Sequence, residues 1–206
     1  AYLGESHGWP AKHSNAGVLD LCGFKKDLFY LYQAMWIDEP VLHILPHWTH
    51  PGKENVEVPV CAFTNCDEAE LFLNGESLGK RERGDQYDIV WHVPYAAGEI
   101  KAVGYRDGTQ VKEDIQKTAG EPAEIRLSPD KTELKADGYD VCQLTVEIVD
   151  ESGVLVPDAD NHISFAVEGD AKVIGVGNGD PSSFEPAAAS ERSAFNGMCF
   201  AVIQST

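Results

Sequence analysis

Long apolar runs are missing from this chain. No segment approaches the roughly 18 consecutive apolar residues that a membrane-spanning helix requires. The opening residues, Ala1-Tyr2-Leu3-Gly4-Glu5, lack both the basic and the apolar region of an export signal. Positive charge is also scarce: 16 Lys and Arg stand against 34 Asp and Glu, for a formal net charge of -18. A surface that acidic repels nucleic-acid phosphates and anionic lipid, which argues against both as partners and suits a neutral ligand such as a sugar. Cysteine is sparse, and its spacing is wrong for metal. Cys22, Cys61, Cys66, Cys142 and Cys199 contain no CxxC pair, and most sit within apolar alternation, where a thiol behaves as a small hydrophobe. They read as free core thiols and decide nothing about compartment.

Catalytic signatures are missing too. There is no GxSxG elbow and no cysteine in a protease-like context. Gly175-Val176-Gly177-Asn178-Gly179-Asp180 has the glycine spacing of a nucleotide loop, but Pro181-Ser182-Ser183 follows without helical periodicity, so it reads as a turn between strands. His43, His47 and His50 lie close in sequence, yet Pro46 prevents one helical face from presenting all three, and no metal motif is completed. Asp158, Asp160 and Asn161 lack the central Gly and terminal Glu of a calcium loop and read as a solvated connection. No metal and no cofactor is expected.

What the chain does have is alternation. Val56, Val58, Val60 and Ala62 alternate with Glu57, Pro59, Cys61 and Phe63. Ala69, Leu71 and Leu73 run into Asn74-Gly75, a strong signal for a type I′ hairpin. Tyr87, Ile89, Trp91 and Val93 form another strand pattern. Beyond Thr118-Ala119-Gly120-Glu121-Pro122, a short polar boundary, the pattern resumes in Cys142, Leu144, Val146 and Ile148, then Ile163, Phe165 and Val167, then Met198, Phe200 and Val202. Short strands with close turns suggest immunoglobulin-like sandwiches. The last pattern runs up to Thr206, which leaves open whether the final sandwich is complete.

The first 40 residues differ. Gly17-Val18-Leu19-Asp20-Leu21 is a short apolar run, and Lys25 to Trp36 carries Leu28, Leu31, Tyr32 and Met35 at helical spacing, widened by Phe29 and Trp36 and ended before Pro40. Strand, loop and greasy helix make a βα unit, which cannot bury its own faces alone.

The words Tyr2-Leu3-Gly4-Glu5, Trp9-Pro10 and Gly17 through Gln33 resemble the end of the catalytic barrel in glycoside hydrolase family 2, in the β-galactosidase branch of Bacteroides-like bacteria. Val41 to Trp48 resembles the start of that family's next β-domain, and Asn74-Gly75 with Leu78-Gly79 its hairpin. Val156 to Asn161 and Gly177 to Asp180 resemble its C-terminal bacterial immunoglobulin-like domain. The resemblance implies a mainly β chain: residues 1–40 the last strand and helix of a (β/α)8 barrel, 41–119 one β-sandwich and 120–206 an immunoglobulin-like second. It implies that this is the non-catalytic C-terminal region of an enzyme that hydrolyses β-linked carbohydrate with retention, using two glutamates that precede Tyr2; paired carboxylates in such enzymes stand about 5–5.5 Å apart. Barrel active sites lie at strand C-terminal ends, so Glu5, Trp9, Ser14 and Asn15 are the candidate sugar-binding residues, with Trp9 a stacking platform. Ser14-Asn15-Ala16 stands where the β-glucuronidase branch has an Asn-x-Lys for the sugar carboxylate, which argues against a uronic acid. The carbohydrate is the implied partner, the implied location is periplasmic or extracellular, and oligomerisation is left open. Two rival readings stay in view. A carbohydrate-binding module would use aromatics such as Trp48 or Trp91, although Trp91 lies in the apolar register of its strand. An adhesin-like immunoglobulin array would leave the opening strand-helix pattern unexplained.

Overall fold

A computed structural model describes residues 8–11 and 16–206. The protein is mainly β, with a single helix and thirteen strands among the described residues. Contacts within the chain divide it into two compact units, Lys26–Ala119 and a second that joins Gly120–Thr206 to the residues up to Lys25.

The Lys26–Ala119 unit opens with α1 (Asp27–Trp36), followed by β1 (Leu42–Leu45), β2 (Glu57–Thr64), β3 (Glu68–Leu73), β4 (Glu76–Glu82), β5 (Asp88–Pro94), β6 (Glu99–Arg106) and β7 (Thr109–Lys117). These strands form two antiparallel sheets, ordered β1-β2-β5 and β4-β3-β6-β7. Alternation decides which side chains meet. Val58 pairs with Val93, Val60 with Trp91 and Ala62 with Ile89, so one face of the first sheet is continuously apolar. It shares a buried core with Ala69, Leu71, Ile100 and Ala102 of the second sheet. Val56, included in the sequence pattern, lies outside β2 and is exposed.

Asn74 and Gly75 both take positive φ and join β3 to β4, as their type I′ turn requires. The Asn74 side chain then spans to the next turn, accepting from the Glu99 N–H at 2.8 Å and donating to the Ala97 carbonyl at 3.1 Å. Gly98 is obligatory there, because a Cβ would meet Asn74 Oδ1 at 2.0 Å.

The helix lies within two residues of its sequence-based start. Ala34 is its buried residue, and Tyr30 stacks on His43 of β1 at 3.9 Å. His43 also meets Asp27 at 2.9 Å and Asp114 at 3.7 Å, so this histidine anchors the helix to the sheet. The stripe of Leu28, Tyr32, Met35 and Trp36 points to solvent, with Leu28 49% and Trp36 75% exposed. Tyr32 stacks against Trp36 at 5.1 Å.

The second unit carries β8 (Glu124–Pro129), β9 (Val141–Val149), β10 (His162–Ser164), β11 (Ala171–Gly177), β12 (Glu191–Ser193) and β13 (Met198–Ser205). They form a four-stranded sheet, β11-β13-β9-β8, and a two-stranded sheet, β10-β12. In β13 the inward face is the reverse of the one expected. Cys199 and Ala201 are buried, whereas Met198, Phe200 and Val202 are only half-buried. The reason is Gly177, which pairs with Phe200 across β11 and leaves room for the ring; a Cβ there would sit 2.3 Å from it. All five cysteines are free thiols, three of them buried. Burial pushes Cys61 and Cys199 up to about 11, which keeps them protonated.

Asp150 shapes the turn after β9. Its carboxylate accepts the N–H groups of Gly120 at 2.7 Å, Ser152 at 2.8 Å and Val154 at 2.9 Å. The Gly120 N–H, then that of Val154, hold it below the usual carboxylate range. A depressed folded-state value means that the stabilisation is complete above the unfolded carboxylate value of ~3.9 and is lost as pH falls through the lower folded value. Asp150→Asn is therefore expected to flatten the acid limb of the stability curve. Urea midpoints measured from pH 6 to pH 2 check this, and parallel curves for the two proteins would contradict it.

Candidate functional site

Of the four candidate residues, Glu5, Ser14 and Asn15 lie outside the described residues. Trp9 is described and stands 84% exposed. Beside it is a residue that the sequence reading missed: Phe184, 56% exposed, its ring centroid 5.2 Å away and its plane inclined by 41°. The one available signal was a lone aromatic, Phe184, in the otherwise polar loop Asn178 to Glu185.

Two built features hold this neighbourhood. The first is the turn from Leu19 to Lys25. Among the described residues, the run Gly17–Leu21, expected as a strand, pairs through an isolated bridge, Leu19 to Lys25. Asp20 closes that turn by accepting from the N–H groups of Cys22 at 2.8 Å and Phe24 at 2.9 Å. The turn lies on the loop after β11: a Cβ on Gly179, which has positive φ, would meet Asp20 Oδ2 at 2.2 Å. From β9, Gln143 donates to the Cys22 carbonyl at 3.4 Å. Burial, then the Asp20 carboxylate, pushes the Cys22 thiol up to about 12, so it is no nucleophile.

The second feature is the loop itself. Buried Asn178 donates to the Ser193 carbonyl at 2.9 Å and accepts from the Asp180 N–H at 3.1 Å. Asp180 accepts from the Ser182 N–H at 2.7 Å. Glu185, next to Phe184, is the anchor. Its Oε1 accepts both the N–H and the hydroxyl of Ser193 at 3.0 Å, and its Oε2 accepts the Ser183 hydroxyl at 3.2 Å. Arg192 donates to the Glu185 carbonyl at 2.9 Å and approaches its carboxylate at 3.8 Å. Burial alone pushes the Glu185 carboxyl up, but these donors outweigh it and hold the group below the usual range. An ionised carboxylate with its oxygens so engaged is an anchor and not a general acid.

The remaining candidates fall elsewhere. The glycine-rich stretch is the end of β11 and the loop after it, with no helix following. His43 serves α1, while His47 and His50 lie ring to ring at 4.8 Å. Among the described residues no three His, Cys, Asp or Glu side chains gather as a metal set. Asp158 and Asp160 are exposed. Trp48, named above as a stacking aromatic, is fully buried, with its indole N–H donated to the Ala96 carbonyl at 3.0 Å. It is a core residue because the connection from β1 to β2 folds inward beneath Tyr95. Trp91, read as core, is core.

Residues 125–206 match the domain described as glycoside hydrolase family 2 C-terminal domain 5, and residues 55–112 match a domain of unknown function. The chain is similar to a β-galactosidase of Bacteroides ovatus, 46% identical over 98% of this chain and 24% of the relative. It is also similar to a putative β-glucuronidase of Formosa agariphila, 40% identical over 87% of this chain and 18% of that one. Among solved structures, a β-glycosidase from Bacteroides vulgatus superposes with a TM-score of 0.93 at 38% identity, covering 96% of this chain and 26% of that one. The chain thus spans about a quarter or less of the relatives it matches.

Proposed function

The chain belongs to glycoside hydrolase family 2, and from that premise we propose that it is the accessory C-terminal region of a retaining β-glycosidase of β-galactosidase type. The observation that carries this reading is the match along nearly the whole chain to a minor part of a named β-galactosidase. In this reading residues 1–40 close a catalytic (β/α)8 barrel, 41–119 form one sandwich and 120–206 an immunoglobulin-like second.

The surface supports the barrel assignment. Leu28, Tyr32, Met35 and Trp36 line one side of α1 in solvent, and Leu19 and Leu21 are exposed as well. A water-facing helix does not keep such a stripe; a helix packed on a barrel does. The isolated Leu19–Lys25 bridge fits a strand whose parallel neighbours lie in other residues.

An uncharged galactoside is the proposed substrate. The net charge of -18 and the absence of lysine from Ser14-Asn15-Ala16 both disfavour a uronic acid. The two named activities among the relatives, β-galactosidase and β-glucuronidase, make this the point to test. An exported location, periplasmic or extracellular, is part of the same proposal.

The purified 206-residue chain is expected to release no nitrophenol from nitrophenyl β-galactoside, whereas the whole reading frame hydrolyses it and leaves nitrophenyl β-glucuronide untouched. Turnover by the 206-residue chain would overturn the accessory role. Preference of the whole protein for the glucuronide would overturn the substrate.

A further inference from the structure

We propose that Ile125 and Leu127 of β8 are an uncovered part of the second unit's core, and that two strands following β13 in the whole protein join β10 and close over them. The identity of those strands rests on the immunoglobulin-like reading of residues 120–206; the uncovered face rests on register and burial.

Ile125 and Leu127 are 54% and 55% exposed. Scattered exposed aliphatics are ordinary, but these two occupy core positions. Ile125 lies opposite Ile148 and Leu127 opposite Val146, and paired residues of antiparallel strands share a face. Ile148 and Val146 are buried, as is Cys199, the partner of Val146 on β13. The other face of β8 is built for water: Arg126 meets Glu147 at 2.9 Å and donates to the Gly153 carbonyl at 2.9 Å. One face of β8 is thus dry by sequence and wet by structure. An interface between separate proteins is ringed by polar residues, whereas this face runs without a break into the interior.

Strand order identifies what is absent. An immunoglobulin-like sandwich sets a four-stranded sheet, ordered A-B-E-D, against a second sheet, C-F-G. The order β8-β9-β13-β11 reproduces the first: β8 and β9 stand as A and B, β11 and β13 as D and E. β10, the next strand after β9, lies in the opposite sheet, as C does. Strands F and G come after E in chain order, which places them after β13. Among the described residues, β10 has β12 on one edge and no strand on the other.

Dimensions agree. Four strands at about 4.8 Å spacing make a face roughly 19 Å wide. The opposing sheet has two strands of three residues each, so it covers only about 10 Å by 10 Å. The rows along β8 are left open, and two more strands have the width to cover them.

The test compares the 206-residue chain, the whole protein, and the whole protein ended at Thr206, each carrying Leu127→Cys. Maleimide labelling at that position is quantified by peptide mass spectrometry, and circular dichroism confirms folding. The expected result is fast labelling in the 206-residue chain and in the protein ended at Thr206, and labelling at least about 100-fold slower in the whole protein. Ser128→Cys, on the opposite face of β8, should react at similar rates in all three. Hydrogen exchange over Glu124–Pro129 in the unsubstituted proteins gives the same comparison without a mutation. Equal labelling in all three proteins overturns the proposal, and so does a reading frame that stops at Thr206. Protection retained in the protein ended at Thr206 would assign the cover to another part of the enzyme. Protection in the 206-residue chain that grows with its concentration would make the face a contact between copies. Both outcomes overturn it. Hydrolysis of β-galactoside by the whole protein is scored separately: activity without protection sinks the added strands and spares the hydrolase, and protection without activity does the reverse.

Discussion

Replacing Trp48 by alanine is expected to cost the Lys26–Ala119 unit about 4 kcal/mol of stability, the upper range for removing a large aromatic from a core. The ring is fully buried. It meets Tyr95 edge-on at 5.1 Å and His50 at 6.1 Å. The indole N–H satisfies the Ala96 carbonyl, and the Trp48 carbonyl accepts the Thr118 hydroxyl at 2.6 Å. Thr118 also receives the Gly98 N–H at 3.0 Å, and Thr49 receives the Ala119 N–H at 2.9 Å. Trp48 therefore fastens the connection from β1 to β2 onto the ends of β5 and β7. Alanine leaves a cavity and an unpaired carbonyl together. Trp48→Phe keeps most of the ring and loses the N–H, and should cost only about 1–2 kcal/mol. Urea unfolding followed by circular dichroism measures both. A loss below about 1 kcal/mol in Trp48→Ala would mean that this side chain is not the lock described.

Gly197→Ala should be nearly as damaging, at about 3 kcal/mol, from left-handed backbone strain and overpacking. Asn196 and Gly197 have φ of 52° and 75° and form a two-residue turn whose flanks, Phe195 and Met198, bridge each other. A Cβ on Gly197 would sit 2.3 Å from the Val156 carbonyl oxygen. That oxygen belongs to main chain fixed in place: the Val156 N–H donates to the Ile148 carbonyl at 2.9 Å, and the Ile148 N–H donates to the Gly197 carbonyl at 2.8 Å. Neither partner can withdraw without breaking a hydrogen bond. Gly75→Ala is the control, because Gly75 has φ of 85° but open space where its Cβ would go. It should lose about 1–2 kcal/mol, from strain alone. Equal melting temperatures for the two variants would show that the Val156 contact is not tight.

Where a local rule governed, the sequence was legible. Asn74-Gly75 makes its hairpin because few other pairs accept positive φ twice. The alternation of β2, β5 and β9 places Val60, Trp91 and Val146 inside, because each strand has one dry face. Other strands were silent. All of β4 is exposed, so Glu76–Glu82 has no apolar register to betray it, and only pairing with β3 makes it a strand. The direction of β13 was misread because Phe200 is larger and more apolar than Cys199 or Ala201. Space beside Gly177 set its face, and no period-2 pattern encodes that space.

The chain's composition and order of words by themselves showed an acidic, strand-rich polypeptide that resembles glycoside hydrolase family 2, because charge, period and motif are local properties that survive without coordinates. Only the tertiary structure decided that the described residues leave the greasy side of α1 uncovered, that Trp48 is core, and that Phe184 stands beside Trp9. Each of those depends on which distant segments pack together, and a contact between residues far apart in the chain leaves no signature in either neighbourhood alone.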